Sequence, residues 1–417
     1  MRVLWFTNTP CNYLSRNNGG YNGGGWLSSL ESELVKQDDI ELGICFCQND
    51  QPFKVEQNGV TYYPVPRHQK QLSDKIIDII RYKDVRRDEI LWEHYKDVFK
   101  RAIDDFKPDV IQIFGSELYM GLATFVASCP VVLHIQGLLS LYIYIFLPAG
   151  ISKSSYLLQD WNPKHIYDRF QLYVYWRRSC YREQEVLRHT KHVIGRTQWD
   201  ELATKILNPQ REYHYGGEIL RKEFYEEHER VIPDKLTIVT TSSSSMYKGF
   251  DYVLQTANIL KNVMHLDFEW LVYGNVNPTF QQKFTGLQHK NLNIILMGVA
   301  SAATLCESIN NATVYFQPSY IENSSNSVCE AQLLGVPVVA TNVGGTASLI
   351  EEGKTGFLIP TNDPYTAAYR IVQLYTNAKL NNKIGLQAKM AAQKRHNKQD
   401  IVNEILNVYR ELKAHDQ

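Results

Sequence analysis

Apolar runs of strand length alternate with longer stretches of helical periodicity almost from end to end of the chain. Arg2–Asn8, Ile40–Cys47, Val60–Pro64, Asp109–Phe114, Val131–Ile135 and His192–Gly195 read as the strands of one sheet. Between them Gly25–Lys36, Val85–Phe106 and Pro163–His189 carry apolar residues at helical spacing. A second series follows at Leu236–Thr241, Phe268–Tyr273, Asn293–Leu296, Thr313–Gln317, Val336–Ala340 and Gly356–Ile359, again with helical segments between. Asp400–Ala414 is a final amphipathic helix. Strands that take turns with helices call for parallel pairing through helical crossovers. The pattern therefore predicts an α/β chain of two Rossmann-like, doubly wound parallel-sheet domains. The polar, Pro-flanked stretch Asn208–Asp234 has the composition of a linker, and the domains are expected at 1–205 and 206–395. Ligands of open parallel sheets bind beyond the carboxyl ends of the strands, so a site is expected in a cleft between the two domains.

Composition narrows the class without choosing a chemistry. With 417 residues, 44% apolar and 21% charged, the chain suits two ordinary cores. A formal net charge of zero gives no reason to expect nucleic acid, so phosphate would have to be bound by local groups. Seven scattered cysteines without a Cys-x-x-Cys pair read as reduced core thiols, which implies a reducing, cytoplasmic setting. Met1–Pro10 lacks the apolar stretch of a signal peptide. Leu138–Ala149, the most apolar segment, falls short of the roughly 20 residues of a spanning helix. No Asp-x-Asp and no His/Cys cluster at ligand spacing occurs, so no metal and no cofactor is expected.

The most informative stretch runs from Gln317-Pro318-Ser319-Tyr320-Ile321-Glu322 to Glu330-Ala331-Gln332-Leu333-Leu334-Gly335. It places two carboxylates on a strand–loop–helix unit, with Glu330 expected to open the helix. A carboxylate there can accept both hydroxyls of a ribose. Glu322, earlier in the loop, could reach the hydroxyls of a sugar, and the backbone N–H groups of Asn326, Ser327 and Val328 would face a diphosphate. A Ser327–Glu330 capping box is the competing reading of Glu330. Lys248, after the first strand of the second series, can stabilise the charge that develops on a departing phosphate.

These residues resemble the double-glutamate motif of the retaining GT-B glycosyltransferases of family 4. The likeness extends to Tyr247-Lys248-Gly249-Phe250-Asp251, to Trp270–Gly274 and to Asn342-Val343-Gly344-Gly345, and is weaker in the amino-terminal half. It implies a nucleotide diphosphate sugar as donor, with Glu330 on the ribose, Glu322 on the donor sugar and Lys248 on the diphosphate. It implies a glycan or lipid-linked glycan acceptor on the first domain, with residues 396–417 returning to that domain. Contact with the inner face of a membrane is a further expectation, for which the aromatics and arginines between Tyr142 and Arg182 are available. The loop Asn17–Trp26 resembles the family's glycine loop, with Gly24 and Gly25 the best matches, and His134 resembles a histidine near the reacting sugar.

One departure stands out. Where the family carries a Gly-Arg pair ahead of the lysine, this chain has Thr241-Ser242-Ser243-Ser244-Ser245. Ser243 and Ser244 could take the phosphate in its place. So could Arg196, for which an ion pair with Asp200 is the alternative. A nucleotide-sugar 2-epimerase of similar build and a non-catalytic nucleotide-sugar-binding subunit are the rival functions.

Overall fold

The computed structural model describes residues 1–14, 25–49, 51–68 and 72–415. The chain forms two compact units. The first comprises Met1–Tyr144, Ser152–Ile219 and the segment from Lys398 onward; the second comprises Ile145–Ile151 and Leu220–Asn397.

The first unit holds an eight-stranded sheet of β1 (Arg2–Thr7), β2 (Glu41–Cys47), β3 (Val55–Gln57), β4 (Val60–Val65), β5 (Val110–Phe114), β6 (Val131–His134), β7 (His192–Gly195) and β8 (Glu212–Tyr215). Their order across the sheet is β3-β4-β2-β1-β5-β6-β7-β8, parallel except for the β3–β4 hairpin. The hairpin turns at Asn58-Gly59, both at positive φ, the dipeptide that such two-residue turns favour. The second unit holds a six-stranded sheet of β9 (Leu236–Thr241), β10 (Phe268–Tyr273), β11 (Ile294–Gly298), β12 (Val314–Gln317), β13 (Val338–Thr341) and β14 (Phe357–Ile359). Its order is β11-β10-β9-β12-β13-β14, and its pairings are parallel. The doubly wound α/β organisation read from the alternating pattern is the one observed.

Two strands lie outside the pattern. β3 and β8 carry polar and half-exposed residues, so neither has the apolar run by which a parallel strand is read. β8 sits in the stretch that reads as linker. It pairs with β7 along His192–Gly195, and this carries the first unit on to Ile219, past the expected boundary at 205.

Both sheets bury their central strands on two faces between helices. Leu4, Phe6, Ile111, Ile113, Phe99 and Phe106 are core to the first, and Ile238, Trp270, Val272, Val314 and Phe316 to the second. Buried polar edges of large rings find partners. Trp270 Nε1 donates to Thr240 Oγ1 at 3.0 Å, and Trp5 Nε1 donates to the Tyr409 hydroxyl at 3.0 Å. Tyr409 lies on the last helix, Lys398–His415, which joins the first unit through that bond and a further one from its hydroxyl to Gln112 Oε1. Among the described residues, no helix is long and apolar enough to cross a membrane.

Candidate active site

In each sheet the winding reverses beside the first strand, between β1 and β5 in one and between β9 and β12 in the other. At such a switch point the loops leaving the two neighbouring strands part, and a ligand can enter between them.

In the second unit, Lys248 lies in the loop after β9 and Glu322 in the loop after β12. Two glycines fix these loops. Gly249 has φ of 71°, and a Cβ there would stand 2.1 Å from the Pro318 carbonyl oxygen. Gly344, after β13, has φ of 51°, and its Cβ would stand 2.0 Å from the Glu322 carbonyl oxygen. Tyr320 N–H donates to Tyr247 O at 2.7 Å, and Gly345 N–H to Glu322 O at 2.9 Å. Gly344 and Gly345 thus bring the backbone after β13 close against the Glu322 loop.

So held, Lys248 Nζ reaches Glu322 Oε2 at 2.8 Å and Oε1 at 3.2 Å. Neither side chain is sealed off, with exposures of 24% for Lys248 and 13% for Glu322. Burial alone would lower the Lys248 pKa. Attraction to Glu322, with help from Tyr247 and Tyr315, outweighs it and holds the ammonium above its ordinary value. Gln317 Nε2 donates to Ser319 Oγ at 2.7 Å and lies 3.4 Å from Glu322 Oε2, so the carboxylate is oriented from the strand end as well.

Glu330 stands differently from the expectation. The helix runs Asn326–Leu333 with Ser325 as its N-cap, so Glu330 lies one turn inside it and does not open it. The Ser327–Glu330 capping box is not what occupies the carboxylate either: Ser327 Oγ lies 3.1 Å from Ser325 Oγ and bonds the Tyr315 hydroxyl. Glu330 is buried and takes a two-pronged contact from Arg221, Nε to Oε1 and Nη2 to Oε2, both at 2.7 Å. Burial opposes the charge on Arg221, but the Glu330 bonds raise its pKa nonetheless. Asn326, Ser327 and Val328 form the first turn of this helix, whose leading N–H groups have no acceptor within the helix. Asn326 Oδ1 is buried there without a hydrogen-bond partner.

Of the two serines, Ser244 is engaged in its own fold. Its hydroxyl donates to Asn275 O at 3.0 Å and accepts from Asn277 N–H at 2.9 Å. Ser243 Oγ accepts from Ser245 N–H at 3.4 Å.

The remaining nominated residues lie in the first unit, among the ends of its central strands. Gly24 falls outside the described residues. Gly25, at φ of 56°, precedes the helix Trp26–Leu34, and nothing lies within 4 Å of where its Cβ would be. His134 is fully buried at the end of β6. It accepts from Gln112 Nε2 at 3.0 Å on Nδ1, and burial together with the Arg196 charge drives its pKa well down, so it is neutral. Arg196 is buried too, its guanidinium 2.7 Å from Glu218 Oε2 and close to the carbonyl oxygens of Ile135 and Gln136. Asp200 accepts the Arg196 backbone N–H at 3.0 Å and completes a capping box with Thr197.

Two groups at these sites escape sequence reading. Arg221 sits in the apparent linker, far in sequence from the glutamate it holds. Glu117 follows β5 at the first sheet's switch point, where its place after a strand was the available signal. Its Oε1 accepts Gly137 N–H at 2.8 Å while its buried Oε2 has no partner. Burial, reinforced by the Glu183 charge, pushes its pKa up to about 7.

Residues 235–377 match the family described as Glycosyl transferases group 1. A D-inositol 3-phosphate glycosyltransferase of Paenarthrobacter aurescens is 30% identical over 170 residues, 39% of this chain and 41% of the relative. The capsular polysaccharide biosynthesis glycosyltransferase CapM of Staphylococcus aureus is 25% identical over 187 residues, 44% of this chain and 48% of the relative. Both matches thus span less than half of the relative's length. Among solved structures, sucrose-phosphate synthase from Thermosynechococcus elongatus superposes with a TM-score of 0.70 at 14% identity, covering 99% of each chain. Anabaena HepE, solved in complex with UDP and glucose, gives 0.63 at 14% identity, over 98% of this chain and 99% of that one. The second unit therefore carries, over residues 235–377, a glycosyl transferases group 1 domain, in a chain that has the two-domain fold of the GT-B glycosyltransferases.

Proposed function

We propose that this chain is a retaining, metal-independent glycosyltransferase of family 4, moving a hexose-type sugar from a nucleotide diphosphate sugar to a glycan or lipid-linked glycan acceptor of surface-glycan assembly. The carrying observation is the partly exposed Lys248–Glu322 pair at the switch point of the second sheet. A cation and a carboxylate that neutralise one another at a ligand-entry point can exchange partners when a ligand bears both complementary groups. The diphosphate takes the ammonium, and the hydroxyls of the transferred sugar take Glu322. One such ammonium at about 4 Å from a phosphate oxygen, at an effective dielectric near 20, is worth ~4 kcal/mol before desolvation. That attraction grows as the leaving group gains charge, which is what lowers a barrier.

Glu330 takes the ribose hydroxyls in this reading. Arg221 fixes the carboxylate with its two-pronged contact, and in this reading the diol shares the same oxygens. The helix start at Asn326, Ser327 and Val328 supplies N–H donors to the diphosphate, with Ser243 alongside. The first unit receives the acceptor, and there His134 and Arg196 support the strand ends from beneath. The HepE structure, of like fold, holds UDP and glucose, and CapM acts in capsular polysaccharide biosynthesis; both support the donor class and the setting.

Thermal denaturation across nucleoside diphosphates and their sugars tests the assignment. One of them is expected to raise the unfolding temperature of the wild type by several degrees at saturation, and Glu330→Gln to remove most of that rise. A rise kept whole in both Glu330→Gln and Lys248→Ala would put the ligand elsewhere and defeat the proposal.

A further inference from the structure

At the far edge of the first sheet, three metal-ligating side chains converge that no spacing in the sequence connects. His192 opens β7, and Glu212 and His214 lie on β8. The two strands run parallel with His192 opposite Glu212 and Ile194 opposite His214, so the three side chains share one face of the sheet edge. His192 Nδ1 is 3.3 Å from His214 Nε2 and 3.4 Å from Glu212 Oε2, and the three atoms lie within 4.8 Å of one another.

We propose that His192, Glu212 and His214 form a binding site for one divalent transition-metal ion of the zinc type. Zinc binds imidazole nitrogen and carboxylate oxygen at about 2.0–2.2 Å, and neighbouring ligands of a tetrahedral ion then stand roughly 3.3–3.5 Å apart. The two shortest separations here have that length. Two imidazoles and one carboxylate are a donor set that such ions favour, and the fourth position is left to water. The surroundings match as well. His214 turns Nε2 toward the cluster while its other ring nitrogen, Nδ1, faces Glu411 Oε2 at 3.8 Å, from the last helix. At that distance Glu411 acts on the ring through its charge and not through a hydrogen bond. Lys191 meets Glu212 through Oε1, the oxygen turned away from the histidines. Burial lowers the His214 pKa against the pull of Glu411 and Glu212, which favours the neutral imidazole a metal requires. An ion here clips the edge strand β8 to β7.

The test uses the full chain, freed of metal by a chelator and titrated with Zn2+ against a chromophoric competitor. One equivalent is expected to bind at micromolar or lower concentration. The unfolding temperature is expected to rise by about 5 °C at a hundredfold excess over Kd. Co2+ in the same site is expected to show the visible bands of a four-coordinate ion. Glu212 is exposed, so Glu212→Ala folds, and it should weaken binding at least tenfold, as should His214→Ala. Absence of a stoichiometric ion in the wild type overturns the proposal. So does binding of equal strength in Glu212→Ala and His214→Ala, which would place the ion on other residues.

Discussion

Two ion pairs beside strand ends, one in each sheet, are alike in chemistry and different in exposure. In the second sheet a lysine and a carboxylate from the two parting loops meet at 2.8 Å with exposures of 24% and 13%. In the first sheet the cation nearest the strand ends, Arg196, is matched by Glu218 at 2.7 Å with exposures of only 5% and 2%. Both are ion pairs, yet their surroundings assign them different work. A pair that water can reach has little net stability to lose when it opens, because each ion is solvated again as it parts. A sealed pair cannot open without leaving a charge in a medium that does not solvate it. The pair that water reaches in part is therefore the one suited to exchange for a ligand, and the sealed one suited to holding β6 and β7 in place.

The sharpest way to break this comparison is to remove the cation from each pair in turn. Lys248→Ala should lower sugar transfer about a thousandfold, the loss typical of one donor aimed at developing charge. Its denaturation midpoint should stay close to wild type, since Glu322 keeps access to water. Turnover within tenfold of wild type would remove Lys248 from the chemistry. Arg196→Ala should show the opposite profile. It takes the cation from the Glu218 carboxylate, which is 2% exposed, and should cost about 3 kcal/mol in denaturant unfolding. Replacing both partners, Arg196→Met with Glu218→Leu, should return most of that loss. A folded Arg196→Ala chain as stable as wild type, but unable to bind nucleotide, would move Arg196 into the donor site.

What the sequence made legible follows the same division. The twelve apolar strands could be read because parallel strands buried on both faces must be apolar throughout. Lys248, Glu322 and Glu330 could be nominated because each stands at a fixed distance from such a strand. What could not be read was pairing between distant segments. Arg221 meets Glu330 across a separation of 109 residues, and nothing local marks either for the other. The same holds for Arg196, whose near neighbour Asp200 is the natural guess from spacing, while the fold delivers Glu218 through β8. That strand itself was hidden, since Glu-Tyr-His-Tyr at a sheet edge shows no apolar run. Helix registers were blurred for a related reason: Ser325 and Ser327 can both cap, and only the geometry around Tyr315 decides for Ser325.

The smallest expected effect separates two buried carboxylates of the first unit. Glu183 accepts Ser116 Oγ and Ser140 N–H at 2.8 Å and Leu139 N–H at 2.9 Å, so both its oxygens are served. Glu117 has one oxygen served and one not, and its pKa of about 7 against an ordinary 4.5 reflects burial first and the Glu183 charge second. A carboxyl that holds its proton more tightly folded than unfolded contributes stability that is whole below about pH 4.5 and lost as pH rises through about 7. Glu117→Gln keeps the shape and removes the titration. Relative to wild type it should gain on the order of 1 kcal/mol between pH 5 and pH 8, given the group's partial exposure, with Glu183 unchanged in both proteins. Denaturant midpoints of the two proteins across that range measure the difference directly. Parallel curves would mean that folding leaves the Glu117 titration at its ordinary value, and the carboxyl would then be as open to water as one in the unfolded chain.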